Sequence, residues 1–404
     1  MRKSIAFLYS TFLIFAVLGV IFIPFSFRNW SFQADLTRFL FEDLILGIAN
    51  SFDCIVITNP EVSSDSTTFY LLFLVLFLIA IFLNLFLQFS SFWKNNQRKI
   101  FNILQLILVY YLALIMLKYG FDKIYKAQFY LPEPNTLFTP LGMLDKDILY
   151  WSTIGSSHSY NVFIGLLEVI PALMLLLKKT RILGLFILSG VLLNVLFVNL
   201  GFDISVKLFS SFLLFITLIL LAPSLKNIIQ FFVMNKSIFL PYLTGENLIH
   251  SKVTRFSIKG IIILFIFSES LFPYIQSENY NDDKVPRISM HGAYEISESQ
   301  PDGIIENLNI KRFFIHRQGY FIFQYEDDSM EDFHLEIQQN KLILTNYDEE
   351  KIELDYSYSD ASKTLEIKSK EFGWTIYGQA INWREMPLMK EGFHWTVDEV
   401  NEKL

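Results

Sequence analysis

Long apolar stretches separated by short polar loops fill the first two thirds of the chain. A helix needs roughly 20 mostly apolar residues to cross the hydrocarbon core of a bilayer. The first stretch follows two basic residues, but its apolar core is long and no small-residue cleavage site follows it, which favours an uncleaved anchor. Seven spans are predicted, at about residues 5–25, 69–89, 101–120, 160–177, 182–200, 204–221 and 257–274.

Two shorter segments are amphipathic or too short to span a bilayer. Residues 228–234 (IIQFFVM) are apolar but few, and they predict an interfacial helix on the cytoplasmic side. The loop 26–67 carries apolar residues at helical spacing around Trp30, Phe39 and Leu44. That spacing predicts a helix lying along the outer interface.

After residue 274 the pattern changes to short runs in which apolar and polar residues alternate, with turn signals between them. Alternation with a period of two is typical of antiparallel strands with one buried face. The runs are residues 291–296, 311–316, 320–325, 333–337, 341–344, 352–358, 364–368 and 373–383. The predicted fold class is therefore α+β, a polytopic α-helical membrane bundle of about seven spans followed by a small antiparallel β barrel or sandwich.

Composition and charge agree with this division. Of the 404 residues 52% are hydrophobic and only 18% are charged, which excludes a wholly soluble enzyme and a disordered chain. Residues 1–275 carry 20 basic and 14 acidic residues, a balance of +6, whereas residues 276–404 carry 13 and 26, a balance of −13. The acidic tail argues against a nucleic-acid partner because phosphates would be repelled.

The basic residues also predict the orientation. With seven spans, thirteen basic residues fall on one side, and Arg28, Arg38, Lys123, Lys126 and Lys146 on the other. The positive-inside rule then places the N-terminus in the cytoplasm and the C-terminal domain outside. For a bacterial inner membrane this domain is periplasmic, and the first partner of the protein is the lipid bilayer.

Ionisable residues inside spans are costly, about 2.5–3.5 kcal/mol each on insertion scales, and so indicate function. Several polar residues recur near the outer ends of the middle spans and predict an outward-facing polar pocket with Glu168 as its deepest charge. They are Lys118, Lys123, Glu168, Asn194, Asn199, Asp203 and Lys207. We expect an Asp203–Lys207 contact, and Lys118, Lys123 or Lys207 as the counter-charge of Glu168. The alternatives are a Glu168–Lys207 pair that only fixes helix register, and a proton or electron role.

Other motifs point to no specific chemistry. The single cysteine, Cys54, forms no internal disulfide and reads as a small buried hydrophobe. The six histidines are dispersed, with no close pair at ligand spacing, so no haem, zinc or iron–sulfur ligand set is predicted and no metal site is expected. Catalytic residues and the cofactor stay unassigned at this level.

Four segments in the middle of the chain form a recognisable pattern. They are residues 117–129 (LKYGFDKIYKAQF), 165–168 (GLLE), 171–184 (PALMLLLKKTRILG) and 198–207 (VNLGFDISVK). This pattern resembles DoxX-like membrane proteins, and the resemblance covers about residues 101–222 as a four-helix membrane bundle. The tail segments HGAYE and GFHW are similar to tails of longer DoxX-like proteins of Gram-negative bacteria, for which a lipocalin-like barrel is one form, although Tyr294 replaces the usual early Trp.

The resemblance implies a bundle with a small-molecule, quinone or redox connection, and no specific reaction. The predicted domains are residues 1–100 (two spans and an outside loop), 101–222 (the bundle), 223–275 (a cytoplasmic segment and the seventh span) and 285–404 (the periplasmic β domain). The predicted function is binding of a small or lipophilic ligand in the outward pocket, capped by the β domain. The alternatives are a quinone-linked oxidoreductase subunit, which needs a membrane-protein partner to supply electrons, and a small-molecule transporter. An autonomous enzyme is not expected.

Overall fold

The computed structural model describes residues 3–25, 32–52, 64–239, 242–243, 251–296, 309–390, 392 and 395. Arg28, Trp30 and Cys54 of the outside loop lie beyond these ranges, as do His250 and His394. The chain divides into two compact units. One comprises Met1–Gln128 and Asn161–Tyr280, and the other comprises Phe129–Tyr160 and Asn281–Leu404.

Eleven helices are described. They are α1 Lys3–Phe22, α2 Phe32–Ser51, α3 Thr67–Leu87, α4 Ser91–Ile124, α5 Pro134–Phe138, α6 Lys146–Gly155, α7 His158–Leu176, α8 Arg181–Gly201, α9 Lys207–Leu221, α10 Leu225–Phe232 and α11 Lys252–Ser277. Seven described helices are long and apolar enough to cross a membrane, which confirms the predicted seven spans. The chain is therefore a membrane protein by the length and composition of its helices.

Local signals explain where these helices begin and end. Ser66, Ser90 and Ser251 each precede a helix, and their hydroxyls accept hydrogen bonds from backbone N–H groups in the first turn of α3, α4 and α11. Helix α4 is longer than predicted, at 34 residues, because its polar start is rich in Lys, Arg and Gln, which favour helix although they end an apolar window. Helix α2 and helix α10 match the two predicted amphipathic segments.

The core of the membrane unit is aromatic and aliphatic, and α1, α3, α4, α7, α8 and α9 supply most of its buried residues. The Phe15 ring lies 5.3 Å from the Phe77 ring and 5.6 Å from the Phe215 ring, in edge-to-face arrangements. The Asn84 amide of α3 donates to the Thr11 hydroxyl of α1 at 2.7 Å, so a polar contact ties the same helices together.

Helices α4 and α7 approach each other through two glycines. A Cβ atom at Gly165 would lie 2.6 Å from the Gly120 carbonyl oxygen, and one at Gly120 would lie 2.9 Å from the Gly165 carbonyl oxygen. Small residues let helix backbones come together in membranes, where dispersion contacts replace the hydrophobic effect as the force between helices. The two glycines therefore fix where α4 crosses α7.

The second unit contains a closed eight-stranded barrel, which confirms the predicted β domain and selects the barrel over the sandwich. The strands are β1 Gly292–Ile296, β2 Ile310–His316, β3 Tyr320–Tyr325, β4 Met330–Gln338, β5 Lys341–Thr345, β6 Lys351–Ser359, β7 Thr364–Ser369 and β8 Trp374–Ile381. Each strand pairs antiparallel with the next, and β8 pairs with β1 to close the sheet. Closure leaves no free sheet edge.

Side chains fill the barrel interior at the level of a stack of three rings. Tyr294 stacks on Phe313 at 4.9 Å, and Phe313 stacks on Phe321 at 5.3 Å. A Cβ atom at Gly378 would lie 2.3 Å from the Phe313 ring, so the glycine makes room for that ring. Because Phe313 and Phe321 have no exposed surface, no water-sized void adjoins them.

Residues 129–160, which lie between α4 and α7 in sequence, belong to the barrel unit. Phe138 of α5 packs on Phe314 at 5.8 Å and accepts a hydrogen bond at its carbonyl oxygen from Gln324 at 3.1 Å. Unit 2 thus combines an internal loop with the C-terminal tail, whereas the predicted β domain begins only at residue 285. Four spans separate the loop from the tail, and an even number returns the chain to the same side of the membrane.

We expect Gly165→Ala to destabilise the membrane unit, because the added methyl group would collide with a backbone carbonyl that no side-chain rotation can remove. Overpacking of this kind costs about 1–3 kcal/mol. Thermal unfolding of the full chain in detergent would show a lowered midpoint. The matched control is Gly190→Ala in α8, where nothing lies within 4 Å of the new Cβ atom. Equal midpoints for both variants would contradict the close α4–α7 crossing.

Candidate functional site: buried charges at one end of the helix bundle

A buried ion pair joins α4 to α7. The Lys123 ammonium lies 2.9 Å from Glu168 Oε2, and the two residues are 8% and 3% exposed. Each follows by three residues one of the glycines at which the helices cross, so both side chains leave the contact on the same helix face. Lys123 is thus the counter-charge of Glu168, one of the three predicted candidates. The alternative pairing of Glu168 with Lys207 is wrong, because Lys207 contacts other carboxylates.

A second polar contact lies one residue away on α4 and brings in α11. The Tyr274 hydroxyl donates to Asp122 Oδ1, and the Tyr125 ring lies 4.6 Å from the Tyr274 ring. Sequence reasoning missed both Asp122 and Tyr274. A tyrosine near the end of a span looks like an ordinary interface residue, and only the packing of α11 against α4 reveals its partner. We refer to Asp122, Lys123, Glu168 and Tyr274 as the bundle cluster.

A separate group of charges lies at the start of α9. Lys207 Nζ lies 2.8 Å from Asp203 Oδ1, which confirms the predicted contact, and 3.6 Å from Asp65 Oδ2. Asp65 also accepts hydrogen bonds from the backbone N–H groups of Lys207 and Leu208, each at 2.9 Å. Helix α8 ends at Gly201, and Asp203 in the following turn has a positive φ of 54°. No sequence signal links Asp65 to a helix that starts about 140 residues later.

The remaining predicted pocket residues lie in different surroundings. Asn199 is buried, and its amide donates to the Ser210 hydroxyl at 3.0 Å, which ties α8 to α9. Lys118 Nζ lies 5.1 Å from the centre of the Phe25 ring. Asn194 is exposed on α8. The structure therefore joins Lys123 to Glu168 and Asp203 to Lys207, and leaves Asn194 on the outer surface of the bundle.

The barrel unit has its own buried charge cluster, centred on Glu133, which is 2% exposed. Glu133 Oε2 lies 2.8 Å from His291 Nε2 and 3.9 Å from His316 Nε2, and the Arg317 side chain donates to the other carboxylate oxygen. Burial alone would raise the pKa of Glu133. The hydrogen bond from His291 and the positive charges of Arg317, His291 and His316 outweigh burial and lower this pKa to about 2.

This cluster corrects the view that the histidines lie apart, because His291 and His316 face the same carboxylate. Glu133 lies 158 residues before His291 in sequence, so no spacing rule could find the convergence. Within the described ranges, no three or more His, Cys, Asp or Glu side chains are arranged to hold a metal ion.

Comparison with known proteins adds one partial likeness. No protein-family model matches the chain, and no solved structure matches it. The chain is 39% identical over 71 residues to the uncharacterized protein YwoB of Bacillus subtilis (strain 168). The aligned part covers 18% of this chain and 46% of YwoB, so the chain spans about half the length of that curated relative. The likeness is to a part of each protein, and it carries no activity with it.

Proposed function

We propose that the membrane unit binds a small lipophilic molecule at the bundle cluster. The observation that carries this proposal is the convergence of Asp122, Lys123, Glu168 and Tyr274 from three helices, with a buried ion pair at the centre. Ionisable residues at membrane depth mark ligand, ion or proton sites more often than structural contacts. The resemblance of residues 101–222 to DoxX-like proteins supports the same conclusion.

The energetics support a role beyond helix register. Replacing a buried ion pair by packed apolar side chains is often neutral or stabilising by about 1–4 kcal/mol, so such a pair is a poor device for stability alone. Register at this crossing already follows from the contact of Gly120 with Gly165. The charges of Lys123 and Glu168 are therefore available for another task.

The side chains of the bundle cluster define the chemistry of the ligand. Lys123 offers N–H donors, Glu168 and Asp122 offer acceptors, and the flanks of the helices are apolar. A molecule with an apolar body and a carbonyl or hydroxyl head group fits this set, and a quinone is one example. A small-molecule transporter stays the alternative prediction; among the described residues, the break nearest this site is the turn 202–206 between α8 and α9.

We further propose a bacterial inner-membrane location with the N-terminus in the cytoplasm and the barrel unit in the periplasm. The excess of basic residues at one set of helix ends supports this orientation. The sharing of one compact unit by residues 129–160 and the C-terminal tail supports the span count, because four spans lie between them. The expectation that the barrel caps the ligand site, and that of a membrane-protein partner, stay predictions.

We expect the full chain purified in mild detergent to retain a lipophile in near-stoichiometric amount. The Glu168→Gln variant should retain at least about tenfold less lipophile per protein. Tenfold corresponds to about 1.4 kcal/mol, a modest value for a lost charged hydrogen bond. Solvent extraction and mass spectrometry would identify the molecule, quinones included. The control is Glu278→Gln, the same change at an exposed position. Equal retention by both variants, or no retained lipophile in the wild type, would refute the proposal.

For the orientation, we expect alkaline phosphatase fused after residue 404 to be active in a Gram-negative host. This enzyme needs the disulfides that form outside the cytoplasm. A fusion within residues 233–243, between α10 and α11, should be inactive. The reverse pattern would overturn the proposed topology.

A further inference from the structure

Three separate segments of the barrel unit meet at Glu133. Glu133 belongs to residues 129–145, which we call the strap. His291 ends the linker 281–291 that leads into β1, and His316 and Arg317 lie at the end of β2 and in the following turn. The Glu133 carboxylate contacts both histidines and accepts hydrogen bonds from the backbone and side chain of Arg317. One carboxylate therefore holds the strap against two other segments.

Further charges surround these groups on every side. Arg317 also contacts Asp282 and Asp283, and its guanidinium lies 4.3 Å from the centre of the Tyr130 ring. Asp283 accepts a hydrogen bond from the backbone N–H of Leu131 at 2.8 Å, which fixes the strap a second time. Other charged and aromatic neighbours lie around this group. Arg287 forms an ion pair with Asp282, and the Tyr320 ring lies beside the His316 ring. The Trp383 ring lies beside His291, and the Arg384 guanidinium lies over the Trp383 ring.

A proton on His316 would stand beside positive charge. The Arg317 and Arg287 guanidinium groups face the carboxylates Glu133, Asp282 and Asp283, and Arg317 follows His316 directly in the chain. A proton on His316 therefore adds positive charge next to Arg317 in a buried place. Excess charge away from water is costly.

His316 is the histidine that resists protonation. Burial lowers its pKa from the ordinary 6.5, Glu133 opposes that change, and Arg317 and His291 reinforce it. Its Nδ1 accepts a hydrogen bond from the backbone N–H of Gln318 at 3.1 Å, which leaves Nε2 as the N–H that faces Glu133. Glu133, with a pKa lowered to about 2, stays ionised throughout mildly acidic conditions.

We propose that Glu133, His291, His316 and Arg317 form a latch that holds the strap on the barrel and opens as the pH falls. Opening exposes His316 to water, where it takes up a proton that the closed latch excludes. Protonation therefore favours the open form, and the closed form is most stable above pH 6.5. Below that pH, one proton raises the opening equilibrium constant by up to about tenfold per pH unit. The latch lies in the barrel unit and is independent of the ligand proposed for the bundle.

Hydrogen exchange of the full chain in lipid nanodiscs, followed by mass spectrometry, tests the latch. We expect exchange of the strap amides, corrected for the intrinsic pH dependence, to rise between about pH 7 and about pH 5, with a slope of at most about tenfold per pH unit, the limit for one proton. Peptides from β6 and β7 should not change. His316→Asn should flatten the pH dependence while its side-chain oxygen can still accept the Gln318 hydrogen bond. Glu133→Gln should give fast strap exchange at every pH.

The control is His334→Asn, which removes an exposed histidine of the same barrel and should keep the wild-type pH dependence. Strap protection that does not vary with pH in the wild type, or a dependence unchanged in His316→Asn, would overturn the proposal. If His316→Asn does not fold, nuclear magnetic resonance of isotopically labelled histidine in the wild type decides. A His316 pKa below 6.5 supports the latch, and one above 6.5 contradicts it.

Discussion

The close contact of α4 and α7 at Gly120 and Gly165 is the constraint on which the membrane unit depends. In a bilayer, lipid tails are as apolar as leucine side chains, so helices associate through packing and polar contacts. Two glycines bring the backbones together, and the same approach buries Lys123 against Glu168 one helical turn later. The ion pair is thus a consequence of the crossing that the glycines permit. This order of cause is the structural basis of our proposal that the pair serves a ligand.

The barrel unit depends on a different constraint. The backbone N–H and C=O groups of a strand cannot pair within their own segment, as those of a helix do, and need partners on neighbouring strands. Pairing of β8 with β1 removes the free edges, and Gly378 admits the Phe313 ring to the filled interior. The strap then covers part of the outer face, where Leu137 and Phe138 pack against the buried cluster that includes Phe314 and Trp383. Two sets of contacts therefore attach the strap to the barrel, the apolar patch and the charges around Glu133. The charged contacts can weaken at low pH while the strands of the barrel stay paired.

The parts of the fold that sequence reasoning predicted are those set by local patterns. Twenty-residue apolar windows define spans because the bilayer has a fixed thickness, and alternation defines the strands because one face of the barrel is buried. Within the site, the four-residue separation of Asp203 and Lys207 was enough to predict their contact, although the structure forms it across the turn before α9 and not along a helix. Sequence reasoning also placed Glu168 inside the fourth predicted span and kept Lys123 among its three candidate partners.

The parts that sequence reasoning missed depend on contacts between distant segments. Tyr274 meets Asp122 across 152 residues, and Arg317 meets Glu133 across 184. Nothing in the local sequence of either partner marks the other. Asn194 shows the converse limit. Its place along the fifth predicted span follows from the sequence, but the face of α8 on which it lies follows only from how α8 packs.

The central claim is that the Lys123–Glu168 pair serves a ligand rather than helix register. The most direct measurement compares the double variant Lys123→Met, Glu168→Leu with the wild type, for both thermal stability and retained lipophile. Apolar side chains of similar length should pack at the glycine crossing. The account therefore predicts a double variant that folds, is at least as stable as the wild type, and no longer retains the lipophile. A double variant that keeps the lipophile, or that unfolds because the charges were needed for packing, would contradict it.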